Sequence, residues 1–154
     1  MTGWRVGYAC GPREVIRELN KVHQYSIMCA PRPSQVAACE ALRWNREHNW
    51  EDIARMRDSY NHRRRLMVTG LRRIGLDCFE PLGAFYVFPG IRSTHLTSEE
   101  FCMRLLTEQS VACVPGTAFG ASGEGNIRCS YATGVDKLTL ALERIETFVQ
   151  SLKG

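Results

Sequence analysis

A chain of 154 residues is long enough for one domain with a real core and too short for two full ones, and its 44% hydrophobic, 23% charged make-up excludes a disordered or fibrous polymer. Twenty basic against sixteen acidic side chains leave a net charge of +4, too mild a surplus to point to nucleic acid, and no run of about 18 apolar residues is present to cross a membrane. The seven cysteines are odd in number, scattered and never spaced C-x-x-C, which points to reduced thiols in a reducing, cytoplasmic compartment.

In chain order, Trp4 to Cys10 reads as a short strand and Gly11-Pro12 as a turn, after which Val15, Ile16, Leu19 and Val22 recur at helical spacing. Two prolines between Cys29 and Pro33 break that helix, and Ser34 is the expected N-cap of a second reaching about Arg46. From Trp50 a longer stripe, Ile53, Met56, Tyr60, Met67, Leu71 and Ile74, predicts one long amphipathic helix closed by Gly75. Leu76 to Glu80 and Ala84 to Phe88 read as strands. Thr97 or Ser98 is expected to cap a helix through about Gln109, with Glu100 near its N-terminal end. Val111 to Val114 is a short strand, Pro115 to Gly125 a glycine-rich loop and Ile127 to Tyr131 another strand. Asp136 is the expected cap of a last helix carrying Leu138, Leu142, Ile145 and Val149.

Several chemical signals dissolve on inspection. The arginine-rich run from His62 to Arg73 falls mostly off the apolar stripe of its helix, which describes a solvated face rather than a nucleic-acid patch. His23, His48, His62 and His95 lack metal-ligand spacing, so no metal is expected. Gly120 to Gly125 lacks the lysine and following helix of a phosphate-binding loop. Read by spacing alone, Arg5 and Arg128 are surface arginines on or beside strands, and Phe85 is a core aromatic.

Four motifs taken together change that reading. M-T-G-W-R-V-G-Y-A-C-G-P at the start, A-P-R-P-S-Q-V-A-A from Ala30, P-L-G-A-F-Y-V-F from Pro81, and V-P-G-T-A-F-G followed by G-E-G-N-I-R-C-S-Y-A-T occur in one order across nearly the whole chain. In that order they resemble the class I and II aminotransferases, fold type I enzymes that use pyridoxal 5'-phosphate. The resemblance implies that Arg5, flanked by Gly3 and Gly7, holds the cofactor phosphate, and that Arg128 grips the substrate carboxylate with Phe85 helping to wall the pocket. Arginine suits both tasks because its planar fork of donors matches two oxygens at once. The lysine that carries the cofactor would stand a few positions before Met1, so no catalytic residue is expected within the chain and the chain alone is expected to be inactive.

The implied fold is α+β: the small C-terminal domain of such an enzyme, a short, mainly antiparallel sheet packed with helices, plus one long linking helix. Residues 1–45 would be a remnant of the large cofactor-binding domain and 46–154 the small domain. The implied reaction moves an amino group from an amino acid to a 2-oxo acid, in a parent that is a homodimer, without nucleic-acid or membrane partners. Two alternatives stay open: a lyase or synthase on the same scaffold, or a non-catalytic interaction module derived from the small domain. An apolar face left uncovered in the first 45 residues is expected to promote self-association or mobility there.

Overall fold

The computed structural model describes residues 1–152, which form helices α1 (Arg13–Ile27), α2 (Arg32–Glu47), α3 (Glu51–Ile74), α4 (Ser98–Gln109) and α5 (Val135–Ser151). With them goes one antiparallel sheet of β1 (Tyr86–Val87), β2 (Val114–Pro115) and β3 (Ile127–Ser130), in the order β1-β3-β2. The α+β class and the long helix are as expected. Two compact units divide the chain, Met1–Arg55 and the residues from Met56 onward, and α3 begins in the first and continues in the second.

In the first unit the strand expected over Trp4 to Cys10 does not form. Thr2–Trp4 is a 3-10 turn, and Arg5 closes it in the left-handed region at φ 50, which ends any extended run. A single strand without a partner leaves its N–H and C=O groups to water, so nothing holds this segment in a ladder. Helix α2 begins at Arg32 rather than after Ser34: the Pro31 carbonyl accepts from the Gln35 N–H at 3.1 Å, and Pro33 lies in the first turn. Proline is suited there because the first turn's N–H groups have no helical partner anyway. Ser34, the expected cap, is buried inside that turn. No residue of α1 is buried, and Val15, Leu19 and Val22 lie exposed along it.

The second unit carries the core. Met67, Val68, Leu71 and Ile74 of α3 pack with Phe101 and Leu105 of α4, Leu142, Ile145 and Phe148 of α5, and Val87 and Ile127 of the sheet. Phe101 and Phe148 meet edge to face at 5.1 Å. The stripe on α3 is therefore buried from Met67 on and partly covered at Tyr60; Ile53 and Met56 are exposed. Gly75 ends the helix as expected, at φ 93, with Leu76 N–H bonded to Leu71 O and Gly75 N–H to Arg72 O. That pair of bonds is a Schellman closure, and its apolar contact is made by Leu71 and Leu76, both buried.

The strands are shorter than expected. Leu76 to Glu80 keeps only an isolated bridge from Asp77 to Gly90, and the Ala84 to Phe88 strand shrinks to Tyr86–Val87. In α5, Gly134 takes the N-cap position; Asp136 lies in the first turn, where its charge is favoured by the positive end of the helix dipole.

Thr97 caps α4 with a reciprocal box: its hydroxyl accepts from Glu100 N–H at 3.2 Å, while Glu100 Oε2 accepts from Thr97 N–H at 3.0 Å. The Thr97 hydroxyl, which also donates to Glu100 Oε2 at 2.7 Å, and after it the Thr97 N–H hold the Glu100 carboxyl below its ordinary value of 4.5. A depressed folded value lends stability that is complete above the unfolded range and is lost as pH falls through the folded value. Thr97→Ala is expected to cost about 1 kcal/mol at neutral pH by denaturant titration. That cost should shrink in part as pH falls below the ordinary carboxylate range, because protonating Glu100 weakens the hydroxyl-to-carboxylate bond in the wild type while the Glu100 N–H cap remains.

Candidate functional site

The central strand β3 sets the site by simple alternation. Ile127 and Cys129 point into the core, while Arg128 is half-buried and Ser130 exposed on the other face. Tyr86 lies opposite Ser130 on β1, so it shares the face of Arg128. The Arg128 guanidinium carbon lies 4.5 Å from the centre of the Tyr86 ring and 4.8 Å from that of Phe119. Phe119 in turn meets Phe88 edge to face at 6.1 Å. Among the described residues no carboxylate lies within ion-pair distance of Arg128, and none of its side-chain N–H groups has a partner. Two ring faces stabilise the cation by about 0.5–2 kcal/mol each without using its N–H groups, which stay free for a planar anion.

Phe119 is delivered by two short 3-10 turns, Gly116–Phe119 and Ala121–Gly123, which pack backbone to backbone. A Cβ on Gly116 would stand 2.0 Å from Gly123 O, and one on Gly123 would stand 2.1 Å from Gly116 O, so neither position admits a side chain. The glycines read as a loose loop are thus a close-packing device. The segment is also tied to the start of α4: Ser98 N–H donates to Glu124 Oε1 at 2.9 Å, and Gly125 N–H donates to the buried Ser98 Oγ at 2.9 Å. Glu124 thereby satisfies one of the helix's unpaired N–H groups.

Phe85, just before β1, does not touch Arg128 itself: its ring lies 4.6 Å from that of Tyr86 and stacks on Tyr60 with centroids 5.9 Å apart, it packs against the core, and its carbonyl accepts from Tyr131 N–H. The structure thus brings Tyr86 and Phe119, rather than Phe85, against Arg128. Arg5 belongs to the first unit, fully exposed and without an ion-pair partner among the described residues, and Gly3 and Gly7 beside it have open space around their α-carbons. Its left-handed backbone is uncommon for a residue with a side chain.

The arginine run on α3 is only partly a solvated face. Arg64 is largely buried, bonds Asn61 Oδ1 and pairs with Glu80, whose carboxyl it holds below the ordinary value; Arg72 donates to Cys78 O at 2.9 Å. These arginines pin the 76–82 segment to the helix. Tyr86 was open to sequence reasoning, since alternation separates it from its buried neighbour Val87. Phe119 was not, because nothing in a glycine-rich loop announces which strand it will cover.

A family model described as aminotransferase class I and II matches residues 1–145. The Bacillus subtilis protein YugH is 49% identical over 149 residues, covering 97% of this chain and 38% of that relative. The crystal structure of an aromatic aminotransferase from Pyrococcus horikoshii superposes with a TM-score of 0.84 at 43% identity, covering 99% of this chain and 40% of that one. The aspartate aminotransferase of Thermus thermophilus, solved with maleate, gives 0.80 at 41% identity over 96% of this chain and 37% of its own. The chain thus spans about two fifths of the length of these relatives, matching their C-terminal part.

Gly116→Ala places a methyl group against two backbone carbonyls that have no rotamer to yield, so it is expected to cost about 3 kcal/mol or more in a denaturant titration. Near-ultraviolet circular dichroism should register the loss of Phe119 packing in the same variant.

Proposed function

Since this chain belongs to the aminotransferase class I and II family, we propose that it supplies the substrate-carboxylate and phosphate anchors of a pyridoxal 5'-phosphate-dependent enzyme. The reaction is transfer of an amino group from an amino acid to a 2-oxo acid. The observation that carries the reading is Arg128: a half-buried arginine whose guanidinium carbon lies over the Tyr86 and Phe119 rings, with its N–H groups unpaired among the described residues. Every amino acid and every 2-oxo acid brings a carboxylate on the reacting carbon or beside it. A bidentate grip on that group fixes the remaining bonds about the carbon, and orientation of this kind contributes several kcal/mol to a reaction between bound groups. The maleate held by the Thermus relative is a carboxylate ligand of the same class.

Arg5 fits the phosphate of the cofactor. Its guanidinium is exposed and unpaired among the described residues, and the open space beside Gly3 and Gly7 leaves the backbone free to approach a bulky anion. When bound, pyridoxal phosphate supplies the electron sink that lets an amino group move between carbon skeletons. Arg128 orients the substrate, and the Tyr86 and Phe119 rings against its guanidinium shield it in part from water. Neither arginine needs to move a proton. Phe85 helps to wall the pocket by backing Tyr86, with the two rings 4.6 Å apart and Phe85 stacked in turn on Tyr60.

In this reading residues 1–45 belong with the large cofactor domain, residues 46–154 form the small domain, and the whole enzyme is a cytoplasmic homodimer. The free cysteines support the reducing compartment, and the exposed Val15, Leu19 and Val22 of α1 support self-association of the chain. No helix among the described residues is long and apolar enough to cross a membrane.

Hydrogen bonds to charged groups contribute about 1.5–3 kcal/mol each, so losing the fork is costly even when the charge is kept. In an active enzyme carrying this segment, Arg128→Lys is expected to lower kcat/KM for the amino acid on the order of 100-fold. Unchanged kinetics for that variant would remove Arg128 from the substrate site.

A further inference from the structure

On the core side of the sheet, one residue from Arg128, two thiols face each other: Cys113 Sγ and Cys129 Sγ lie 3.5 Å apart. The pairing register explains why. Val114 lies opposite Arg128 and Pro115 opposite Ile127, which puts Cys113 directly across from Cys129. Gly116 N–H donates to Asn126 O, so Gly116 and Asn126 form a hydrogen-bonded pair; counting back by twos, Val114 with Arg128 is another and Cys113 with Cys129 is a non-hydrogen-bonded one. Such pairs have α-carbons about 4.5 Å apart, inside the window of about 4.4–6.8 Å that a disulfide spans without moving the backbone.

We propose that Cys113 and Cys129 are a thiol-oxidation site, joined by hydroperoxides into a reversible disulfide that fastens β2 to β3 beside Arg128. The two sulfurs are not equivalent. Cys113 is half-buried and Cys129 buried, so an oxidant arriving from solvent meets Cys113 first. Either sulfur can donate the hydrogen bond between them; with Cys129 the more deeply buried and keeping the proton in that bond, the Cys113 thiol is lowered below its ordinary value and the Cys129 thiol raised. Burial pushes the neighbouring Cys102 thiol up to about 12 and raises Cys78 as well, so neither competes as a nucleophile.

In the first step the Cys113 thiolate attacks one peroxide oxygen, the O–O bond breaks, and with one proton taken up the products are a sulfenic acid on Cys113 and water (an alcohol from an organic peroxide). In the second, Cys129 sulfur attacks the Cys113 sulfur, its proton leaves with the hydroxyl as water, and the S–S bond forms. Two thiols lose two electrons and two protons, and the peroxide takes up both. A dithiol reverses the change by exchange.

Exposed Cys10, Cys29 and Cys39 are a separate population and are best removed as C10S/C29S/C39S. The native chain, wild type and this variant, is treated with hydrogen peroxide at neutral pH, alkylated and mapped by mass spectrometry. The expected result in both is a linked peptide joining Cys113 to Cys129, with Cys78 and Cys102 alkylated and the link abolished by dithiothreitol. In Cys129→Ser the sulfenic acid on Cys113 should persist and react with dimedone. Should that variant not fold, the linkage map of the other two chains decides alone. Full alkylation of Cys113 and Cys129 after peroxide, or a bridge from Cys113 to Cys102 or Cys78 instead, overturns the proposal.

Discussion

A cation that is half out of water and has no counter-ion needs something to hold it there, and in this chain two aromatic faces do so. Tyr86 and Phe119 lie 4.5 and 4.8 Å from the guanidinium of Arg128. Ring faces attract the charge without consuming the N–H groups, whereas a carboxylate neighbour would occupy the fork that an incoming anion needs. The remaining architecture of the second unit answers to this arrangement. Arg128 stands on the central strand, whose other face is nailed down by Ile127 and Cys129, so the strand that carries the charge cannot shift without disturbing the core.

The second ring depends on a longer chain of causes. Phe119 reaches Arg128 because two tight turns meet glycine to glycine, and because Glu124 and Gly125 are fastened to the N-terminus of α4. That terminus is in turn fixed by the box between Thr97 and Glu100. Local helix capping, which is ordinarily a matter of about 1 kcal/mol of stability, thus also positions a side chain on the binding face. Structure and chemistry share the same residues here, and so a substitution aimed at one is expected to register in the other.

Where the determinant is local, the sequence spoke clearly. Gly75 closing α3, Thr97 opening α4 and the stripes of α3 and α5 were legible because each depends on neighbours within a turn or two. Helix starts were harder when two candidates competed: prolines displaced Ser34 as the opening of α2, and Gly134 displaced Asp136 at α5. The strand read from Trp4 to Cys10 failed because β propensity has no force without a partner strand. At the site, Arg128 was legible through its motif, and the family match rests on nearly the whole chain. That Tyr86 meets Arg128 follows from the pairing of β1 with β3, which no single segment contains. Phe119 required knowing how a loop folds over a strand.

The account rests on Arg128 being an open, preoriented receptor for a carboxylate. The direct measurement is the nitrogen and proton resonance of Arg128 Nε in the 154-residue chain during titration with maleate, with Arg128→Leu used to assign it. A saturable shift of that resonance, accompanied by shifts of the Tyr86 and Phe119 ring protons, is the predicted result. If the resonance stays in place while maleate perturbs other arginines, the ring-held guanidinium is a packing feature and the binding role assigned to it is wrong.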